Sequence, residues 1–306
     1  MSVSGTPTYP LPAAPPDPAA VRAKSAQPSL LVRLLRNRSG AVGLLIVLAY
    51  VFIALLGALE ITPYPTLEQH RMDRLQKPSE QYIMGTDLFG RDVASRLMEG
   101  AANSLQVALL SVGVATLLGT LLGTLAGYIG GLFDNVVMRT MDVFFALPAL
   151  LLALVVVTVF GPGINTTVLA IAIVYTPIFA RVARAPVLAV KEMEFVTAAR
   201  CLGMRDGGII LRHILPNTLA PLIVQVSLAL SWSLLTEAAL SFLGLGIQLP
   251  TPSWGKMLDE SRGLAEMAPW LMIYPGLEIM LGVLGFNLLG DGLRDVLDPR
   301  LRGAKK

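Results

Sequence analysis

Long stretches without a charged residue constrain the fold of this chain more than any other feature of its sequence. One uncharged run covers residues 41–59, a second covers residues 101–133, and a third covers residues 143–180. A helix needs about 20 apolar residues to cross the roughly 30 Å hydrocarbon layer of a membrane. Only 15% of the residues are charged, whereas a soluble domain carries about 25%. The sequence therefore predicts an all-α membrane protein.

Six transmembrane helices are predicted from these blocks. The first covers residues 41–59, and the second covers about 105–125. The run 143–180 is too long for one span and contains Gly161-Pro162-Gly163, a strong turn signal, so it supplies two spans. The fifth covers about 219–243 and the sixth about 271–289. Within the second span, Gly119, Gly123 and Gly127 repeat every four residues, which favours close packing against a neighbouring helix.

Composition and charge divide the chain into four regions. Residues 1–29 are rich in Pro and Ala without apolar periodicity, which predicts a disordered cytoplasmic tail. Residues 30–103 hold the first span and an external segment, residues 104–295 hold the remaining spans, and residues 296–306 form a C-terminal tail. With the N-terminus inside, 17 of the 24 Lys and Arg residues lie on the cytoplasmic side. Since positive loops stay inside, both termini are predicted to be cytoplasmic.

Several classes of function are disfavoured by the residues themselves. A single cysteine, Cys201, excludes an internal disulfide, and the two histidines form no metal-binding cluster. The basic residues form no continuous stripe for nucleic acid. No G-x-x-x-x-G-K-[ST] loop is present, so this chain is not expected to bind ATP.

The charged segment between the fourth and fifth spans has the pattern of two short helices joined at a glycine. Residues 191–200 have helix-forming composition, and Gly203 can end that helix in the left-handed conformation. Asp206 is expected to cap a second helix, which Pro216 interrupts. Small side chains at Ala198 and Ala199 would let this elbow enter a groove of another protein, with Arg200, Arg205 and Arg212 around it. A solvated amphipathic loop is the alternative.

These residues resemble a known motif. Thr197-Ala198-Ala199, Gly203 and Leu215-Pro216 match the spacing of the EAA loop of membrane subunits in binding-protein-dependent ABC importers, within residues 192–216. Thr197 stands where the family has Glu, and His213 stands where Ile is usual. Residues 85–93 (GTDLFGRDV) and 287–299 (NLLGDGLRDVLDP) resemble segments of the second type of membrane subunit in the dipeptide, oligopeptide and nickel group. The resemblance covers about residues 30–303.

The resemblance implies a type I ABC importer transmembrane fold and a permease without enzymatic activity, in a bacterial or archaeal plasma membrane. It also implies four kinds of partner: a similar second permease, cytoplasmic ATPase subunits that use ATP and Mg²⁺, an extracytoplasmic solute-binding protein, and membrane lipid. The transported solutes would be di- or oligopeptides or related small solutes. The residues expected to dock the ATPase are Glu194, Thr197, Ala198, Ala199, Arg200, Gly203, Arg212, Leu215 and Pro216.

Other residues carry hypotheses with open alternatives. Glu237 and Glu278 interrupt apolar spans, so they either face the translocation pathway or are bonded within the bundle or to the paired subunit. Asp87, Arg91 and Asp92 either contact the binding protein or belong to a capped, solvated loop. Trp254 and Trp270 are expected to anchor helices at the outer membrane interface, and Trp232, nearer mid-span, is expected to have a packing role. A secondary transporter or channel could also have six spans, but it would not need the docking elbow.

Overall fold

The computed structural model describes residues 29–297, which form helices and no β-strand. The predicted N-terminal tail, apart from Ser29, and the predicted C-terminal tail beyond residue 297 lie outside the described residues. The helices are α1 (Leu30–Arg36), α2 (Arg38–Ala58), α3 (Val93–Ile129), α4 (Gly131–Phe145), α5 (Ala149–Phe160), α6 (Ile164–Val190), α7 (Glu194–Cys201), α8 (Asp206–Ile209), α9 (Leu215–Phe242), α10 (Trp254–Ser261) and α11 (Trp270–Leu297). A π-helical turn, Ile210–Ile214, joins α8 to α9.

The first two spans are longer than the apolar runs that predicted them. Asn37 caps α2 by accepting a hydrogen bond from the Gly40 N–H at 3.0 Å. Asp92 caps α3 by accepting from the Ser95 N–H at 2.8 Å. With 37 residues at about 1.5 Å each, α3 is roughly 55 Å long, so it extends beyond the hydrocarbon layer.

The third span is broken, which the sequence analysis did not predict. The chain bends by 90° between α4 and α5. Pro148 stands directly before α5, and a proline disfavours helical geometry in the residue that precedes it. With 12 residues, α5 is about 18 Å long and too short to cross the hydrocarbon layer alone. Among the described residues, five continuous helices can span a membrane, and the bent pair is the sixth if it counts as one span.

The predicted interruption at Pro216 is wrong. Helical structure runs from Asp206 to Phe242, with Pro216 in the first turn of α9. A proline inside a helix lacks an N–H donor, and its ring clashes with the carbonyl four residues earlier, here that of Arg212. The wider π-helical turn, Ile210–Ile214, lies at this point and accommodates the ring.

The glycine repeat of α3 packs against α6, as predicted. A Cβ atom on Gly119 would lie 2.6 Å from the Thr176 carbonyl oxygen, and one on Gly123 would lie 2.9 Å from the Ala180 Cα. Only bare backbone allows the two helices to approach this closely. A similar contact joins α2 to α11, where a Cβ on Gly43 would lie 2.7 Å from the Leu288 carbonyl carbon. The α9 helix packs against α3, α6 and α11 and completes the bundle.

The three tryptophans do not lie where the sequence analysis expected them. Trp254 is 1% exposed, stacks edge-on against Tyr50 at 4.9 Å between ring centroids, and donates to the Leu97 carbonyl at 3.2 Å. Trp270 is also buried, and its indole N–H points to the Thr86 carbonyl at 3.4 Å. Both are core residues, not interface anchors. Trp232 is 59% exposed, so it does not have its predicted packing role within this chain.

The glycine contact predicts a position-specific loss of stability. Substituting Gly123→Ala places a methyl group against the α6 backbone, and overpacking of this kind costs about 1–3 kcal/mol. Gly113→Ala, on the same helix, is the control because nothing lies within 4 Å of its Cβ position. We expect a lower melting temperature in detergent for Gly123→Ala only. Equal melting temperatures for the two variants would contradict the packing.

Candidate functional site

The elbow, residues 191–214, connects α6 to α9 as two short helices at one end of the bundle. Gly203 has φ of 82°, the left-handed conformation expected from the sequence. One side of the elbow packs against the end of α6 and forms a small apolar core separate from that of the bundle. Its buried members are Val187, Val190, Val196, Ala199, Ile209 and Ile214. The elbow is therefore a folded element and not a loose loop.

The other side of the elbow exposes apolar side chains. Leu202 is 88% exposed, Leu211 is 66% exposed, and Phe195 is also exposed. Ala198 lies beside them on the surface, whereas Ala199 is buried in the elbow's own core. The sequence predicts that the small Ala199 side chain helps the elbow enter a partner's groove, but this side chain faces the elbow's own core. An exposed apolar surface of this kind is typical of a protein–protein interaction site.

The other residues predicted to dock a partner are mostly available for contact. Leu215 is half-buried, and the others lie on the surface: Glu194, Thr197, Arg200, Gly203, Arg212 and Pro216. Asp206 does not cap α8 as predicted, because Arg205 holds the N-cap position without a side-chain bond. The Asp206 carboxylate instead accepts a hydrogen bond from the Tyr128 hydroxyl.

Three polar contacts join the elbow to the end of α3. The Tyr128 hydroxyl donates to Asp206 and lies 3.5 Å from the Arg200 Nη2 that donates to it. The Lys191 ammonium donates to the Gly127 carbonyl at 2.9 Å. Sequence reasoning missed Tyr128 and Lys191. The only local signal was a phenol beside Gly130-Gly131, at the end of a long uncharged run.

Two ion pairs hold α4 against α6. The Arg184 guanidinium binds both carboxylate oxygens of Asp134, each at 2.6 Å. Arg181 binds Asp142 at 2.7 Å, and its guanidinium lies 4.0 Å from the centroid of the Phe145 ring. The paired charges fix α4 beside the elbow end of the bundle, before the chain bends into α5.

At the opposite end of the bundle, four charged residues form an ion cluster. Arg91 binds Asp87 at 2.6 Å and Glu260 at 3.3 Å. Arg96, which is 1% exposed, binds Glu260 at 2.6 Å and lies 3.7 Å from Asp87. The cluster ties the connection before α3 to α10. Sequence reasoning did not find Arg96 or Glu260, because they are 164 residues apart in the chain.

The ion cluster changes the interpretation of Asp87, Arg91 and Asp92. Arg91 and Asp92 are buried, so the alternative of a solvated loop is wrong, although Asp92 does cap α3. Their charged groups are engaged within the chain, whereas Leu88 and Phe89 between them are exposed. A cavity of about 230 Å³ lies against these two residues and reaches Arg96.

Tyr82 stabilises the same connection from within. It is fully buried, and its hydroxyl donates to the Asp73 carboxylate at 3.1 Å. Burial, and secondarily this hydrogen bond, raises the pKa of Tyr82 to about 12. An ordinary tyrosine, with a pKa of about 10, is already protonated at neutral pH, and the raised pKa extends the range in which Tyr82 remains a donor.

The two carboxylates of the spans have different environments. Glu237 is 1% exposed and accepts from the Ser241 hydroxyl at 2.7 Å, so it is bonded within the bundle. Glu278 is half-buried on α11, and its main-chain carbonyl accepts from the Tyr50 hydroxyl.

Comparison with known proteins places this arrangement in a family. Residues 119–303 match the binding-protein-dependent transport system inner membrane component. The chain is 45% identical over 293 residues to the dipeptide transport system permease protein DppC of Alkalihalophilus pseudofirmus, with 96% of each chain covered. It is 46% identical over 274 residues to the di/tripeptide transport system permease protein DppC of Pseudomonas aeruginosa, covering 88% of this chain and 90% of that one. It is 43% identical over 272 residues to the glutathione transport system permease protein GsiD of Escherichia coli, with 89% of each covered.

A solved structure supports the fold. Inward-facing MetNI, a methionine ABC transporter, matches with a TM-score of 0.54 and 16% identity, covering 66% of this chain and 96% of that chain. The predicted type I importer fold is confirmed. The chain belongs to the family of binding-protein-dependent transport system inner membrane components, and it is a multi-pass membrane permease. Membership of this family favours a binding-protein-dependent permease over a secondary transporter or channel.

The ion cluster predicts a large loss of stability when one partner is removed. Glu260→Ala leaves the buried Arg96 without its closest carboxylate, and breaking a buried ion pair costs about 3–5 kcal/mol. Arg139→Ala is the control, because that side chain is 86% exposed and an exposed pair contributes about 0–1 kcal/mol. We expect a lower melting temperature for Glu260→Ala than for Arg139→Ala. If the double variant Arg96→Met, Glu260→Met loses less stability than Glu260→Ala, the two side chains are directly coupled.

Proposed function

We propose that this chain is one of two membrane subunits of an ATP-driven importer for di- or oligopeptides or related small solutes. The main support for this proposal is the elbow, which is a folded element with an exposed apolar surface at one end of the bundle. Relatives that are 43–46% identical are named as dipeptide, di/tripeptide and glutathione permeases, which supports this class of solute. The chain lies in a bacterial or archaeal plasma membrane with both termini in the cytoplasm.

In this proposal the elbow docks into a cytoplasmic ATPase subunit. Leu202, Leu211 and Phe195 supply the apolar contact, and Arg200 and Arg212 supply charges around it. The ATPase subunits bind ATP and Mg²⁺, and this chain contributes no enzymatic step. Closure of the ATPase pair stabilises one position of the elbow over another, which shifts the bundle between inward-facing and outward-facing states. A similar second permease supplies the other half of the pathway, and Glu278 is the candidate lining residue of this half.

An extracytoplasmic binding protein delivers the solute at the end with the ion cluster. We assign the contact to the exposed Leu88 and Phe89, since the charged groups of Asp87, Arg91 and Asp92 bind within this chain. The ion cluster then holds these two side chains in place.

The docking role of the elbow predicts a selective loss of assembly. Ala198→Arg adds a long charged side chain to the exposed apolar surface without entering the elbow's core. We expect the purified complex to lose its ATPase subunits while the folded yield of this chain is retained. Ala265→Arg, at an exposed position between α10 and α11, is the control and keeps them. Retention of the ATPase subunits by Ala198→Arg would contradict the docking surface.

The orientation can be tested with Cys201, the sole cysteine of the sequence, which is exposed in the elbow. A membrane-impermeant maleimide should label it in inside-out vesicles only, and bound ATPase subunits should protect it. With Phe89→Cys in a Cys201→Ser background, labelling should occur from the outside only, with protection by the binding protein. Labelling of Cys201 from the outside would reverse the proposed topology.

A further inference from the structure

The elbow contacts one helix besides the two to which it is covalently joined. Its ends continue covalently into α6 and α9. Its polar groups, however, contact a third helix, α3, which is separated from it in sequence by α4, α5 and α6. These contacts are concentrated on Gly127 and Tyr128, within the last three residues of α3.

Tyr128 contacts both halves of the elbow with one hydroxyl group. It donates to Asp206, the first residue of α8, and accepts from Arg200 near the end of α7. Its ring packs against the small apolar core of the elbow. Lys191 adds a third contact by donating to the Gly127 carbonyl at 2.9 Å. Since a tyrosine O–H has one donor and accepts as well, a single hydroxyl can satisfy both partners.

The same helix reaches the other end of the bundle. Arg96, in the first turn of α3, binds Glu260 of α10 at 2.6 Å. Between these ends, α3 packs along α6 through the glycines at positions 119 and 123. A movement of the elbow that pulls on Tyr128 would therefore act on a continuous 37-residue helix that ends at the ion cluster.

We propose that Tyr128 is a positioning residue that fastens both halves of the elbow to α3, so that movement of the elbow is transmitted to α3 as well as to α6 and α9. This inference rests on the proposed function, because it takes the elbow to be moved by an ATPase. Tyr128 touches neither nucleotide nor solute and acts through Asp206 and Arg200.

The test is Tyr128→Phe, which removes the hydroxyl and keeps the ring in its apolar surroundings. The complete complex, with the second permease, ATPase subunits and binding protein, is reconstituted in liposomes, and import of radiolabelled dialanine is measured against ATP hydrolysed. We expect the ATP used per dialanine imported to rise about three- to tenfold, the range that loss of one or two hydrogen bonds allows. Folded yield and ATPase retention should be unchanged. Tyr64→Phe is the matched control, since its hydroxyl bonds only the Gln81 carbonyl, at 3.2 Å, among the described residues.

A second variant removes the contact between Tyr128 and Asp206 by changing the residue on the elbow. Asp206→Ala should raise the ATP used per dialanine, and combining it with Tyr128→Phe should add little, because both remove one interaction. An unchanged ratio in Tyr128→Phe, or full additivity of the two variants, would overturn the inference. A wild-type complex that holds no ATPase subunit, or imports dialanine without ATP, would count against the proposed function instead.

Discussion

The close contact between α3 and α6 is the interaction on which the rest of the structure depends. Lipid chains are as apolar as leucine, so two helices in a membrane gain little from hydrophobic burial and must associate by packing. Bare backbone at Gly119 and Gly123 supplies that packing, because a Cβ at either position would meet the α6 main chain or Phe179. The α6 helix, which continues into the elbow, is therefore held against the middle of α3 at these two positions.

Polar interactions then fix what the glycine contact leaves free. At one end, Arg96 is almost fully buried against Glu260, and a buried ion pair of this kind is costly to break once one charge is left alone. At the other end, Tyr128 and Lys191 hold the elbow by three separate hydrogen bonds, each of which contributes less. The contacts at the ion cluster are thus stronger than those between α3 and the elbow, which is the part that moves in the proposed function.

Much of the fold could be predicted from the sequence, because uncharged runs, glycine spacing and the left-handed Gly203 are local signals. Two proline effects were not predictable in the same way. Pro148 bends the third span by 90°, whereas Pro216 is accommodated by a π-helical turn, and the difference depends on tertiary surroundings. The EAA-like spacing located the elbow, but not which of Ala198 and Ala199 faces outward. Arg96–Glu260 and Tyr128–Asp206 join residues far apart in the chain, so only the folded structure reveals them.

In the proposed function, the division of charged and apolar surface explains how one chain can bind a different partner at each end of the bundle. Burying Arg91 and Asp92 within the chain leaves Leu88 and Phe89 as the accessible groups beside the ion cluster. The elbow repeats this arrangement, since its own core buries Ala199 and Val196 and leaves Leu202 exposed. In both places the internal contacts hold apolar side chains in fixed positions, which lowers the entropy lost when a partner binds. Each surface is therefore organised before its partner arrives, and α3 connects the two.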